Sequence, residues 1–302
     1  VALNDIAAVC VDTRDPNLAL IAAERMAQAG LSRVTLLTNE AGVEFIRPHN
    51  RYGIDVRVIP TLQDLDDYSR FILTELVNYM QTEHVLVFQW DGYILNSDLW
   101  WDGYLEYDFI GAPWPAVFAP SGIPVGNGGF SLRSKRLLDA LPQLGLPPPE
   151  LNEDTFMAIN AEWLGQTADV TFAPPAVARH FSIEHRPEDP IDPSHWRPAR
   201  RGTFGFHAWF NFHLCYDDQG LLDFIDHQMT PSQRSRNLTC RLQPLLMKSL
   251  YLDGRIDCLR EITARTERAL GVSLDRSNPD YFNKVIELVV ARNANAPAPV
   301  GG

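Results

Sequence analysis

His84-Val85-Leu86-Val87-Phe88, followed by Gln89-Trp90-Asp91-Gly92, is the stretch on which the fold turns. An apolar run without polar alternation fits a strand covered on both faces, as parallel strands are. The polar residues after it then stand at the strand's carboxyl end. Upstream the same grammar repeats. Ile6 to Val11 is another apolar run, broken by Asp12-Thr13-Arg14-Asp15-Pro16. Asn17 to Ala29 carries Leu18, Ile21, Ala22 and Met26 at helical spacing and closes on Gly30. Val34 to Leu37, ending in Thr38-Asn39-Glu40, and Val56 to Ile59, stopped by Pro60, read as strands, and Leu65 to Met80 as a longer helix.

Strand–helix–strand repetition predicts parallel strands joined by right-handed crossovers. Ligands of such sheets sit outside the carboxyl ends of the strands, so Asp12, Thr38 to Glu40 and Gln89 to Gly92 are expected to face one cleft. Beyond Gly92 the chain becomes rich in Trp, Pro and Gly: Trp100-Trp101, Gly111-Ala112-Pro113-Trp114-Pro115, then Val125-Gly126-Asn127-Gly128-Gly129. Phe130 to Arg133 reads as a short strand, with Ser134 capping a helix through Leu141. Glu153 to Leu164 reads as a helix, Val170 to Ala173 as a strand, residues 185 to 203 as a Pro- and Arg-rich loop, and Phe204 to Phe206 as a strand. From Tyr216 the pattern is helical: Leu221 to His227, Arg241 to Leu252, Ile256 to Leu270 and Tyr281 to Ala291. The predicted division is therefore an α/β domain over 1–213, a helical region over 214–293 and a disordered Ala/Pro/Gly-rich tail over 294–302.

The 302 residues include 45% hydrophobic side chains, enough for a full core, and carry a net charge of −12. That charge argues against general nucleic-acid binding, which needs a basic surface. Cys10, Cys215, Cys240 and Cys258 show no Cys-x-x-Cys spacing and read as reduced thiols of a cytoplasmic protein. No apolar run approaches the length of a membrane span. The sequon Asn237-Leu238-Thr239 is read as chance.

Four places carry chemistry. Asp91 past a buried strand has two readings: a ligand holding Mg²⁺ or Mn²⁺ against a diphosphate, or a solvated Asp-Gly turn. Gly92 lets backbone approach a ligand. Glu153 and Asp154 after Asn152 read as helix-start caps or, in a cleft, as a general base. His207 after Phe204-Gly205-Phe206 reads as a second metal ligand or a structural histidine. Gly126-Asn127-Gly128-Gly129 is no P-loop, since no Gly-Lys-Ser/Thr follows; it is a tight turn or a loop against a sugar, with Asn127 offering its amide.

Taken together, LVFQWDGYILNSDLWWDG, YDFIGAPWP, VGNGGFSLRSKRLL, NEDTFM, FAPPAVARHFSIE and FGFHAWF, between Ile6 and His213, resemble the GT-A glycosyltransferases, and within them a branch with Gln-x-Asp in place of Asp-x-Asp. The resemblance implies a GT-A (nucleotide-diphospho-sugar transferase) fold with a mostly parallel central sheet and a C-terminal helical appendage. It implies transfer of a sugar from a nucleotide-sugar, UDP-linked by the family's habit, to a glycan or other hydroxyl acceptor. Asp91 and His207 are the implied ligands of Mn²⁺ or Mg²⁺. Asp154 is the implied base of an inverting reaction, with Glu153 in reserve. Asp12, Asn39 and Glu40 fall where the family holds the nucleoside, Arg70 of Tyr68-Ser69-Arg70 where it meets the donor, and Asn127, Gly128 and Gly129 beside the transferred sugar. Trp90 offers a ring to a sugar face. Gln89 departs from the motif: an amide oxygen binds a cation more weakly than a carboxylate, which leaves a catalytically inactive sugar- or protein-binding module as the alternative. The helical tail is expected to serve self-association or to contact another domain.

Overall fold

The apolar runs become the inner strands of a six-stranded mixed sheet in the computed structural model, which describes residues 3–115, 124–149, 151–185 and 202–294. The strands are β1 (Ala7–Val11), β2 (Arg33–Thr38), β3 (Asp55–Val58), β4 (His84–Phe88), β5 (Tyr93–Ile94), β6 (Phe109–Ile110), β7 (Phe130–Ser134), β8 (Ser182–Ile183) and β9 (Gly205–Phe206). The central order is β3-β2-β1-β4-β7-β6. β3, β2, β1 and β4 pair in parallel, while β7 runs antiparallel to β4 and β6. The expected mostly parallel α/β sheet is thus present. All five residues of β1 are buried, which accounts for its lack of alternation. A second sheet, β5-β9-β8, pairs β9 antiparallel to β5 and parallel to β8.

Helices α1 (Pro16–Gln28), α2 (Glu40–Ile46), α3 (Leu65–Thr74), α4 (Lys135–Ala140), α5 (Glu153–Ile159), α6 (Ala161–Ala168) and α7 (Pro175–Phe181) complete the first unit, Val1–Ala208. Several boundaries differ from those expected, for local reasons. The helix expected to Met80 ends at Thr74, whose hydroxyl bonds back to the Arg70 carbonyl, and a 3₁₀ turn follows over Leu76–Tyr79. The helix expected over 153–164 is two helices, α5 and α6, parted at Asn160, whose side chain donates to the Phe156 carbonyl at 2.8 Å. Val170 to Ala173 supplies one isolated bridge, Phe109 to Phe172, in place of a strand. Helices α2 and α7 lay outside the expectation. The first is capped by Asn39, whose Oδ1 accepts from the Gly42 N–H, and the second starts on Pro175, a residue suited to a first helical position. Residues 186–201, in the expected loop, and 295–302, in the expected tail, lie outside the described residues.

Asp108 ties the far edge of the sheet. Its carboxylate accepts from Arg136, the Ser134 hydroxyl and the Thr171 N–H. Beneath the second sheet, Phe130, Phe181, Phe204 and Tyr104 form a contiguous aromatic cluster, with Phe181 5.6 Å from Phe130 and from Phe204, and 5.2 Å from Tyr104. Burying each such ring contributes roughly 1.5–3 kcal/mol. The cluster fixes the short strands whose ends carry Glu184 and His207.

The second unit, Trp209–Ala298, is helical. It runs through Asp218–Asp223, a π-turn at Phe224–Gln228, then Pro231–Thr239, Gln243–Leu252, Ile256–Leu270 and Tyr281–Asn293. Buried Glu267 staples it by accepting from the Leu274 N–H, Arg276 and the Tyr281 hydroxyl. Pro231–Thr239 was not expected as a helix, although Thr230 and Gln233 form a complete capping box at its start. Asn237 of the sequon is buried within it. All four cysteines are free thiols. No helix among the described residues is long and apolar enough to cross a membrane.

Candidate functional site

Parallel pairing of β1, β2 and β4 aligns their carboxyl ends, so Asp12, Asn39 and Gln89 leave the sheet on one edge. Antiparallel β7 begins where β4 ends, which brings Gly128-Gly129 to the same edge; the Gln89 N–H donates to the Gly129 carbonyl at 2.9 Å. The second sheet delivers two more residues. β8 and β9 are in parallel register, Ile183 beside Phe206, so the next residues, Glu184 and His207, emerge side by side.

These loops converge on His207. Its Nε2 lies 3.1 Å from Gln89 Oε1 and 3.5 Å from Asp91 Oδ1, and its Nδ1 lies 3.2 Å from Glu184 Oε1. The other Glu184 oxygen accepts from the Asn127 amide. Gln89 donates its amide N–H to the Tyr68 hydroxyl at 3.2 Å. Asp91, Asn127, Glu184 and His207 are buried. Burial by itself would depress the His207 pKa, but the carboxylates of Asp91 and Glu184 outweigh it and push it up to about 10. Burial pushes the Tyr68 hydroxyl well above its ordinary value. Directly after His207 the chain turns through Ala208 at φ 75°, a left-handed conformation costly for a residue with a Cβ.

Glu153 and Asp154 sit on the other side of Gly128. The Gly128 N–H donates to Asp154 Oδ2 at 3.1 Å, and the Thr155 N–H to Asp154 Oδ1 at 2.6 Å. Glu153 meets Arg133 Nη2 at 3.4 Å, and its own N–H donates to the Ser69 hydroxyl. Both carboxylates stand in the first turn of α5, as at a helix start, and both are buried. Desolvation, then the neighbouring Glu153 charge, push Asp154 up to about 8. Arg133, fully buried, also donates to the Ser131 hydroxyl and the Gly128 carbonyl and lies over the Phe109 ring. One buried cation thus serves two buried carboxylates.

The glycines of residues 126–129 make room for protein rather than leaving open backbone. A Cβ on Gly129 would collide with His207 Nε2, one on Gly128 would stand 2.7 Å from Glu153 Oε1, and one on Gly126 would collide with the Trp114 ring. Gly92 is closed in the same way, its missing Cβ 2.9 Å from the Gly129 carbonyl. Gly129→Ala is therefore expected to push His207 off Gln89, costing about 1–3 kcal/mol. Thermal unfolding, with the His207 imidazole signals followed by NMR, checks both effects.

The remaining candidates divide. Asp12 accepts from the Arg14 and Asp15 N–H groups and braces the loop after β1; burial raises its pKa. Buried Cys10 is raised by burial and further by the Asp12 and Asp91 charges, which ties those two carboxylates to one neighbourhood. Asn39 spends its side chain on the α2 cap and on Thr13 and Thr61. Trp90 is half-buried. Glu40 is exposed, and Arg70 is exposed with Asp67 at 3.6 Å, so the His207 cluster gathers neither. From the same helix it is Tyr68 and Ser69 that reach inward. Sequence reasoning missed Glu184, Arg133 and Tyr68 as members. The signals were present: a carboxylate directly after Ser182-Ile183, and an arginine inside the strand Phe130–Ser134.

The donor set can be tested against a divalent cation. Among the described residues no three His, Cys, Asp or Glu side chains form a metal cage. Asp91 Oδ1 and the Gln89 amide oxygen each lie within 3.5 Å of His207 Nε2, and Glu184 meets the imidazole from behind at Nδ1 as outer carboxylates do at metal-bound histidines. Few protein ligands suit a cation that takes its remaining oxygens from substrate phosphate and water. The residues fit that kind of site and not a closed structural one.

A family model described as protein of unknown function (DUF5672) matches residues 54–207, the span that holds Tyr68, Gln89, Asp91, Asn127, Asp154, Glu184 and His207. No curated protein matches the chain. Among solved structures the chain is similar to a CMP:2-keto-3-deoxy-manno-octonic acid synthetase complexed with CTP, at 13% identity over 56% of this chain and 88% of that one, TM-score 0.35. It is also similar to a cytidylyltransferase from Leptospira borgpetersenii serovar Hardjo-bovis, at 12% identity over 61% and 78%, TM-score 0.33. A third is a mannose-1-phosphate geranyltransferase from Thermus thermophilus, at 13% identity over 55% and 73%, TM-score 0.30.

Proposed function

We propose that this chain, which belongs to the DUF5672 family, is a nucleotide-sugar-dependent glycosyltransferase of the GT-A kind, passing a hexose-like sugar to a hydroxyl of a glycan or other acceptor. One observation carries the reading: at the carboxyl edge of the parallel strands, Asp91 and His207 share a point on one side of Gly128-Gly129, and the high-pKa carboxyl of Asp154 stands on the other.

Asp91, His207 and the Gln89 amide oxygen would hold Mn²⁺ or Mg²⁺. Such an ion, when bound, neutralises charge on a departing nucleoside diphosphate. The protein's own residues do the rest. Glu184 fixes the His207 ring through Nδ1 and leaves Nε2 toward Asp91. Asp12 and Asn39, at the ends of β1 and β2, border the place for the nucleoside, with UDP the expected carrier. Asp154 takes the acceptor proton as that hydroxyl attacks the anomeric carbon from the face opposite the leaving group, which gives inversion. A carboxyl raised toward neutral pH is suited to that task. Arg133 stands against Glu153, and the Glu153 charge beside Asp154 adds to burial in raising the Asp154 pKa.

A second reading, a sugar- or protein-binding module without turnover, has Gln89 in its favour, since both ends of its amide are committed within the protein, to Tyr68 and to His207. The two separate on turnover. Incubation with UDP-, GDP- and CDP-sugars and Mn²⁺ is expected to release one nucleoside diphosphate. Glycan binding without release, unchanged by chelation, would favour the module.

A further inference from the structure

The helical unit carries a basic pocket unrelated to the residues above. Residues 209–302 balance eleven Lys and Arg against eleven Asp and Glu, so the whole net charge of −12 lies in residues 1–208. Within the helical unit the charges are unevenly spread. From His227 to Leu252 there are three arginines and a lysine and no carboxylate. The first turn of the helix Pro231–Thr239 and the last turns of Ile256–Leu270 enclose a cavity of about 260 Å³ lined by Arg234, Ser235, Arg265 and Arg268, with Asp226 as its one acidic wall.

Asp226 is already spent. Arg265 grips it bidentately, Nη2 to Oδ2 at 2.6 Å and Nε to Oδ1 at 3.1 Å, and turns its remaining nitrogen to Glu261. That leaves Arg268 over, while Arg234 also faces Asp226, Nη1 to Oδ1 at 3.9 Å. Arg234 directs Nη2 to the Asp226 and Met229 carbonyls, but its buried Nε has no hydrogen-bond partner among the described residues. Arg268 is exposed at the rim and makes no ion pair among them. Ser235 and Pro231, the first residue of the nine-residue helix, line the same cavity. Planar guanidinium forks beside a hydroxyl match the tetrahedral oxygens of a phosphoryl group. The volume falls below the roughly 300–1,000 Å³ that drug-sized ligands occupy.

We propose that this pocket is a binding site for a small phosphate-bearing anion, held by Arg234, Arg268 and Ser235. Isothermal titration of the full chain with inorganic phosphate, then pyrophosphate, tests it. Saturable binding at one site is expected. Arg268→Gln should weaken it about tenfold or more, the scale of one charge-assisted hydrogen bond. Arg234→Lys should weaken it too, because the charge stays while the fork is lost. Asp91→Asn should leave it unchanged. Arg268 is exposed, so its variant is expected to melt at the wild-type temperature. Co-sedimentation with vesicles containing phosphatidic acid separates the sources. Vesicle binding lost in Arg268→Gln, without binding of free phosphate, would uphold the site and assign the phosphate to a lipid headgroup. No saturable binding of any probe, or binding that both arginine variants leave intact or that Asp91→Asn abolishes, overturns the proposal.

Discussion

Asp154→Asn is expected to cut sugar transfer by about 10²- to 10⁴-fold, the scale of a lost general base, while donor binding stays at the wild-type level. Three features of the site lead there. The carboxyl is buried, it is held in place by the Gly128 and Thr155 N–H groups, and its pKa lies near 8 because burial and Glu153 oppose its charge. A base with that pKa makes the rate climb as pH rises toward about 8 and level off above it. Stability runs the other way. The folded pKa lies above the unfolded carboxyl's ordinary value of about 3.9, so this group's contribution is full below that value and is lost as pH rises through about 8. The Asn variant carries no charge to bury, so at pH 9 it should melt no lower than the native protein. Steady-state transfer rates against pH, beside melting curves at the same pH values, separate a catalytic residue from a structural one. Wild-type turnover in the variant would remove Asp154 from the mechanism.

Arg133→Met carries the largest stability effect. The guanidinium is wholly buried, and its Nε and Nη2 donate to Ser131, Gly128 and Glu153, while Nη1 has no hydrogen-bond partner among the described residues. Removing it strands the Glu153 charge beside Asp154 in a dry interior, and breaking one side of a buried pair costs about 3–5 kcal/mol. The double variant Arg133→Met with Glu153→Gln should regain much of that loss, because the uncompensated charge goes with it. Denaturant unfolding of the single and double variants measures the coupling. A loss below about 1 kcal/mol in Arg133→Met would show the pair to be dispensable.

Much of the parallel half of the sheet was legible, since short apolar runs without alternation, closed by turn residues, fit strands covered on both faces, and β1 and β4 are such strands. The edge residues that follow such strands, Asp12, Asn39 and Gln89, were legible for the same reason. What periodicity could not carry was the meeting of distant short elements. Glu184 follows a strand of two residues, too short for any period to register, and although Phe204 to Phe206 before His207 reads as a strand, nothing in it names its partner. Their pairing rests on an aromatic cluster assembled from Phe130, Phe181, Phe204 and Tyr104. The resemblance pointed to Arg70 of Tyr68-Ser69-Arg70, whereas the helix turns that charge outward and the hydroxyls inward. The glycines near position 129 announced close approach correctly but not its object, which is the His207 ring and the Glu153 carboxylate. The missed helix at Pro231–Thr239 has few apolar residues for a periodicity to show, and its capping box was its only loud signal.

We propose that Asp91 and His207 hold a cation against a nucleoside diphosphate at the end of β4. Thermal unfolding with UDP, GDP and CDP, each with and without Mn²⁺, for the native chain and for Asp91→Asn, tests it directly. One nucleotide is expected to stabilise the native protein only when Mn²⁺ is present, by about 2.7 kcal/mol at a hundredfold excess over its Kd, and Asp91→Asn should abolish that gain. Stabilisation by no nucleotide, or the same stabilisation without Mn²⁺ and in Asp91→Asn, would contradict it.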